Sequence, residues 1–195
     1  EYNHAFKDMA IGGKLLAAYF QSVTPRTAGF NTIDLNALFL SSQLLIIFLM
    51  VVGASPGSTG GGIKTSTFAI LWVAIYSQLK GKRETEIFER RIENNDVMQA
   101  LTVALLAVAV LVVMTYLLSV TYHGDLVKIV FEVASALGTV GLTLGITPEL
   151  DTASKLLLII TMFLGRVGPL TLGFALALRE KQPDIRYPKG KIMIG

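Results

Sequence analysis

Residues 97–122 form an almost charge-free run rich in Leu, Val and Ala. It exceeds the roughly 20 residues needed to cross hydrocarbon, so the pattern predicts a transmembrane helix. A polar turn, His123-Gly124-Asp125, follows. Residues 126–137 are apolar again, but at ~1.5 Å per residue so short a helix cannot cross, and the pattern predicts a re-entrant helix. Next come a glycine-containing segment at 138–143, a polar stretch through Thr147-Pro148-Glu149, and a second apolar span at 153–178 broken by Gly165, Gly168 and Pro169. The order is long helix, half-length helix, glycine segment, long helix.

The first half repeats this order: 14–24 is the short helix, 27–32 the glycine segment, and an apolar run starts at Leu35. Placing Gly29 on Gly141 puts Thr27 on Thr139, Asn31 on Thr143 and Ser22-Val23 on Ala134-Ser135. Such self-similarity is the signature of a duplicated unit. Residues 1–96 then read as one repeat lacking its first helix, and 97–195 as a complete repeat with a charged tail.

The apolar run 35–79 is too long for one straight crossing, because about 45 residues of helix would reach ~67 Å against ~30 Å of hydrocarbon. The break is expected at Gly53-Ala54-Ser55-Pro56-Gly57-Ser58-Thr59-Gly60-Gly61-Gly62, whose Pro and Gly residues cannot sustain a helix. Irregular backbone at membrane depth is tolerated where it is buried in protein or lines a watery cavity.

Composition agrees with a membrane location. The 195-residue chain is 52% hydrophobic and 16% charged, with a mean hydropathy of +0.59. Its net charge of +3 does not point to nucleic acid, because Lys and Arg cluster beside apolar spans rather than along one basic face. Lys80, Lys82, Arg83, Arg90 and Arg91 fall in 80–96, and Arg179, Lys181, Arg186, Lys189 and Lys191 in the tail. Both segments are therefore expected on the cytoplasmic side, with the glycine segments outside and 35–79 as a single interrupted crossing. With no cysteine, disulfides and thiolate metal sites are excluded. The chain begins at Glu1 among polar residues and is expected to be a piece of a longer protein.

The two glycine segments carry the candidate chemistry. Thr27-Ala28-Gly29-Phe30 and Thr139-Val140-Gly141-Leu142 share the pattern Thr-small-Gly-apolar, followed by Asn31 and Thr143. A desolvated cation needs a ring of carbonyl oxygens, and glycine lets the backbone aim successive carbonyls at one axis. The second copy resembles the Thr-Val-Gly start of potassium-channel filters. A single such tetrapeptide in a soluble domain would be an ordinary strand and turn; two copies in matched surroundings read as a duplicated selectivity filter, with potassium held by the carbonyls of Thr27, Ala28, Gly29, Phe30, Thr139, Val140, Gly141 and Leu142.

Three stretches carry a resemblance to a known family. They are Thr24-Pro25-Arg26-Thr27-Ala28-Gly29-Phe30-Asn31, Gly57-Ser58-Thr59-Gly60-Gly61-Gly62-Ile63-Lys64-Thr65, and Leu164-Gly165-Arg166-Val167-Gly168-Pro169-Leu170-Thr171. Together with the tail Arg186-Tyr187-Pro188-Lys189-Gly190-Lys191, they make the chain similar to the C-terminal half of a bacterial Ktr/Trk/HKT-superfamily potassium translocating subunit, on its KtrB branch. The resemblance implies an all-α, multi-pass protein of the bacterial cell membrane, with four helix–pore-loop–helix repeats around one pore. Residues 1–96 would be the third repeat and 97–195 the fourth, the first two repeats being the missing partners of the same protein. It further implies potassium as the transported ion, sodium as a candidate activator, no covalent cofactor, surrounding lipid, a homodimer, and a cytosolic nucleotide-binding regulatory ring. No enzymatic chemistry is expected.

The run 57–65 nearly spells a phosphate-binding loop, but Ile63 separates Gly62 from Lys64 and no strand precedes it. A helix-packing seam is the bland alternative. The resemblance implies a gate below the filter, made of Gly53, Ser55, Gly57, Ser58, Thr59, Gly60, Gly61, Gly62 and Lys64 together with Arg166. An arginine within an apolar span needs partners, so Arg166 is either a buried strut on the loop's carbonyls or a fixed charge opposing cations. Lys64 has a bland reading as a snorkelling lysine. Arg26 is expected to brace the outer vestibule, with Glu132 either pairing with it or holding the filter from behind, and His4 and His123 to be solvated. A non-conducting membrane scaffold is the alternative to conduction, and a nucleotide-binding protein built on the Gly57 run is a third reading.

Overall fold

The computed structural model describes residues 1–82, 84–87 and 90–168. Pro169, Leu170, Thr171, the rest of the 153–178 span and the charged tail lie outside the described residues, as does Arg83. The fold is mostly helical, and the described residues form six α-helices: α1 (Ile11–Val23), α2 (Leu40–Val51), α3 (Thr65–Leu79), α4 (Asn94–Thr121), α5 (Leu126–Leu137) and α6 (Thr152–Val167).

Helix α5 is the hub. Asp125 caps it by accepting the Val127 N–H at 3.0 Å, an arrangement that satisfies an orphan donor of the first turn. Gly138 terminates it. Ile129 and every residue from Phe131 to Leu137 are buried, and α2, α4 and α6 all pack against it. Phe131 and Met50 are fully enclosed in one apolar cluster, Ile129 and Leu118 in another. At Gly165, α6 crosses so close to the Leu137 carbonyl that a β-carbon would collide with it.

Helix α4 behaves differently. It is 28 residues long and apolar enough to cross a membrane, yet buries only Ala100, Ala107 and Leu118. Leu101, Leu105, Val108, Val112, Val113, Tyr116 and Val120 stay exposed, which suits a helix whose outer solvent is lipid. Its end is tied to α6 by the Thr121 and Ser154 hydroxyls, 2.6 Å apart.

The break in the 35–79 run falls where the sequence places it. Helix α2 ends at Val51 and α3 begins at Thr65, and the two limbs of the intervening loop meet in a parallel bridge between Val52 and Ile63. The Gly53 N–H donates to the Ile63 carbonyl at 2.8 Å and the Ile63 N–H to the Val51 carbonyl at 2.9 Å. Parallel pairing means the chain leaves the loop travelling in the direction in which it entered.

The charged segment after α3 departs from the all-α expectation. It folds into a hairpin of β1 (Thr85–Ile87) and β2 (Arg90–Ile92), antiparallel, with Thr85 opposite Ile92 and Glu86 opposite Arg91. β-branched Thr85, Ile87 and Ile92 favour the pleated form, and β1 rests on α3. A hydrogen bond from the Lys82 ammonium to Glu86, 2.9 Å long, holds that carboxyl below the usual carboxylate range.

Candidate functional site

Both short helices end in the same backbone signature. After α1, Thr27 has φ 67° and Gly29 φ 72°; after α5, Thr139 has φ 51° and Gly141 φ 93°. Thr27 and Thr139 are the non-glycine residues with positive φ among those described. A β-branched side chain in this left-handed region is strained, and the same strain at matched positions of both copies marks a conformation that the surrounding structure enforces.

That conformation leaves a row of carbonyls free. Among the described residues, no N–H or hydroxyl donates to the carbonyls of Thr27, Ala28, Gly29, Thr139, Val140, Gly141 or Leu142. The Phe30 carbonyl differs from the sequence expectation: it accepts the Thr24 hydroxyl at 2.7 Å, because Thr24 caps α1 just inside the turn. On the second copy, the Gly141 N–H donates to the Ser135 hydroxyl at 3.2 Å and the Val140 N–H to the Ser135 carbonyl at 2.9 Å. The segments adjoin one another, since a β-carbon at Gly29 would run into the Val140 carbonyl. Neither Thr24 nor Ser135 was singled out as functional from sequence; a hydroxyl in the last turn before each glycine segment is the signal that could have found them.

The 53–62 loop presses against both segments. The Gly61 N–H donates to the Thr139 hydroxyl at 3.2 Å. A β-carbon at Gly61 would lie 2.9 Å from the Gly138 carbonyl oxygen, and one at Gly60 would lie 3.0 Å from the Thr27 methyl. Only a residue without a side chain allows so close an approach. Three cationic hydrogen bonds stiffen the loop: Lys64 Nζ donates to the Ser58 carbonyl at 2.9 Å and the Gly60 carbonyl at 2.6 Å, and Arg166 Nη1 donates to the Thr59 carbonyl at 2.5 Å. Lys64 thus turns inward onto its own loop rather than snorkelling away. Arg166 is solvent-exposed rather than buried, lining with Lys64, Thr59, Gly60 and Gly165 a cavity of about 470 Å³. Gly53, Ser55 and Gly57 shape the loop's limbs, where the Ser55 carbonyl accepts from the Ser58 N–H at 3.2 Å and from its hydroxyl at 2.7 Å. Helix α2, not a strand, precedes the run, so it lacks the strand–loop–helix setting of a phosphate-binding loop.

Of the remaining expectations, Glu132 is buried but does not pair with Arg26. It accepts a hydrogen bond from the Thr147 hydroxyl, while Arg26 is exposed. His4 stacks on Phe39 with ring centroids 4.2 Å apart, and His123 is exposed. Asn31 and Thr143 are exposed at the far ends of the two segments.

A helical chain with a lipid-suited span, duplicated left-handed glycine segments and a glycine loop beneath them has the makings of a membrane cation transport protein. The family model described as TrkH, cation transport protein, matches residues 1–185, and the chain belongs to that family. It is 44% identical over 182 residues to Ktr system potassium uptake protein B of Bacillus subtilis, covering 93% of this chain and 41% of that protein. It is 41% identical over 187 residues to Ktr system potassium uptake protein B of Vibrio alginolyticus, covering 96% and 41%. It is 40% identical over 188 residues to potassium/sodium uptake protein NtpJ of Enterococcus hirae, covering 93% and 42%. The chain therefore spans about two-fifths of the length of the curated relatives it matches.

Proposed function

We propose that this chain is part of a multi-pass potassium uptake protein of the cell membrane, and that it contributes two of the strands of an ion selectivity filter and the loop that gates it. The observation carrying this reading is the pair of Thr-x-Gly segments in one strained conformation, with seven carbonyls accepting no hydrogen bond among the described residues. Carbonyls held free of internal donors can replace the hydration shell of a cation. The names of the Bacillus and Vibrio relatives, both potassium uptake proteins, support potassium as the ion; that of the Enterococcus protein keeps sodium in view as a second ion or activator.

Helices α2 and α3, of 12 and 15 residues, span only ~18 and ~22 Å separately but ~40 Å together. With the chain direction kept across the loop, they read as one crossing broken at its middle. Residues 1–96 and 97–195 are then two helix–pore-helix repeats, α1 and α5 being the re-entrant helices, and the missing repeats complete the ring. The loop would close the path from below and open when the bonds from Lys64 and Arg166 let go. A second copy of the membrane subunit and a cytosolic nucleotide-binding ring are the partners that the family resemblance implies, with the hairpin after α3 on the regulator's side.

The test is ion flux in liposomes holding the full-length protein. A membrane potential alone should drive uptake, since it is worth about 2.3 kcal/mol per charge per 100 mV. Gly141→Ser should narrow the preference for potassium over sodium. No flux in the well-folded wild type would support the non-conducting scaffold instead, and flux without preference would remove the filter reading.

A further inference from the structure

We infer that Glu132 is a positioning residue for ion selection, holding the outer end of the second strand through a relay of hydroxyl groups. The inference rests on the filter reading of 139–143 and deepens it. Glu132 lies on α5 one helical turn before Ser135 and is only 5% exposed. Its Oε1 accepts from the Thr147 hydroxyl. The Thr147 and Thr143 hydroxyl oxygens are 3.3 Å apart, and Thr143 Oγ1 accepts the Gly145 N–H at 2.8 Å. A hydroxyl has a single proton. Once Thr147 gives its proton to the carboxylate, Thr143 must be the donor to Thr147, so the chain runs in one sense: Gly145 N–H to Thr143, Thr143 to Thr147, Thr147 to Glu132. Polarised chains of this kind strengthen each member.

The relay grips the strand through side-chain hydroxyls and leaves its carbonyls without donors. Together with the Ser135 bond to Gly141, it attaches Gly141 and Thr143 to one face of α5. The first copy has no such device. Under the alignment of Gly29 with Gly141, Glu132 falls on Phe20, Ser135 on Val23 and Thr147 on Leu35, none of which can take part in a side-chain hydrogen bond. The first segment is held instead by Thr24, whose hydroxyl donates to the Phe30 carbonyl and whose carbonyl accepts the Ala28 and Gly29 N–H groups at 3.2 and 3.1 Å.

Folding stability does not account for the carboxyl. Its Oε2 is buried and makes no hydrogen bond of ordinary geometry among the described residues, although the Thr143 hydroxyl and the Leu144 N–H lie close to the carboxyl, an arrangement that penalises the folded state. A residue unfavourable to stability in the middle of the hub helix is explained by what its other oxygen holds.

The experiment compares Glu132→Leu, Thr147→Val, Thr147→Ser and the double variant Glu132→Leu/Thr147→Val in the full-length protein, reading potassium-over-sodium preference in liposomes and thermal unfolding in detergent. Glu132→Leu and Thr147→Val should each lower the preference severalfold, and the double variant should lose no more than either alone, because both cut one chain. Thr147→Ser, which keeps the hydroxyl, should retain the preference, and Glu132→Leu should melt no lower than the wild type. Unchanged preference in well-folded Thr147→Val, or losses that add in the double variant, would overturn the relay. Gly141→Ser serves as the control: if it too leaves the preference unchanged, the filter reading falls and the relay with it, whereas a loss there with none in Thr147→Val overturns the relay alone.

Discussion

Gly29 and Gly141 occupy equivalent places, yet a side chain would meet different surroundings at each. A β-carbon at Gly29 would run into the Val140 carbonyl, whereas at Gly141 it would meet nothing within 4 Å. Both positions carry positive φ, so any L-residue pays about 1–2 kcal/mol in backbone strain, but only Gly29→Ser must also displace the neighbouring strand. Gly141→Ser should therefore assemble and conduct with potassium preference reduced by about tenfold, equivalent to ~1.4 kcal/mol of discrimination. Gly29→Ser should lose folded protein or flux altogether. Size-exclusion profiles and flux measured side by side check this; two variants of equal severity would show that the strands do not adjoin as described.

At the level of elements, the 53–62 loop is held by bonds that can be removed singly. A hydrogen bond from a charged donor is worth about 1.5–3 kcal/mol, so losing the Arg166 bond to the Thr59 carbonyl should shift a closed loop towards open by roughly tenfold or more. Under the proposed gate, Arg166→Gln is expected to raise potassium flux severalfold and weaken control by the proposed cytosolic partner, and shortening the loop within 57–60 should do the same. A structural seam predicts the opposite, lost flux in both variants despite normal folding. Much of this element plan was legible in the sequence. Asp125 and Gly138 bracket α5 at the bounds read from hydropathy, and Pro56 and the glycines break the long run where the loop lies. The β-hairpin was not legible, because four charged residues, Glu86, Glu89, Arg90 and Arg91, interrupt the few strand-favouring positions of 85–92. Nor was the engagement of the Phe30 carbonyl, since it depends on how the chain turns after Thr24 rather than on residue type.

For the molecule as a whole, the arrangement places the two glycine segments side by side, the glycine loop against both, and α5 packed with the second through Ser135. Sequence spacing supplied the repeat and the lipid-suited helix; it could not supply the approach of Thr147 to Glu132, which depends on how the chain turns back after the glycine segment, or of Gly61 to Thr139, which lie far apart along the chain. The central claim is that the free carbonyls of Thr27 to Gly29 and Thr139 to Leu142 face one cation path. The most direct measurement is the position of thallium or rubidium, heavy substitutes for potassium, located by anomalous scattering in crystals of the full-length protein. The account predicts ions in line within coordination distance of those carbonyls, and their loss from the Gly141 level in Gly141→Ser. Ions absent from the carbonyls of both segments in crystals soaked at saturating thallium would contradict it.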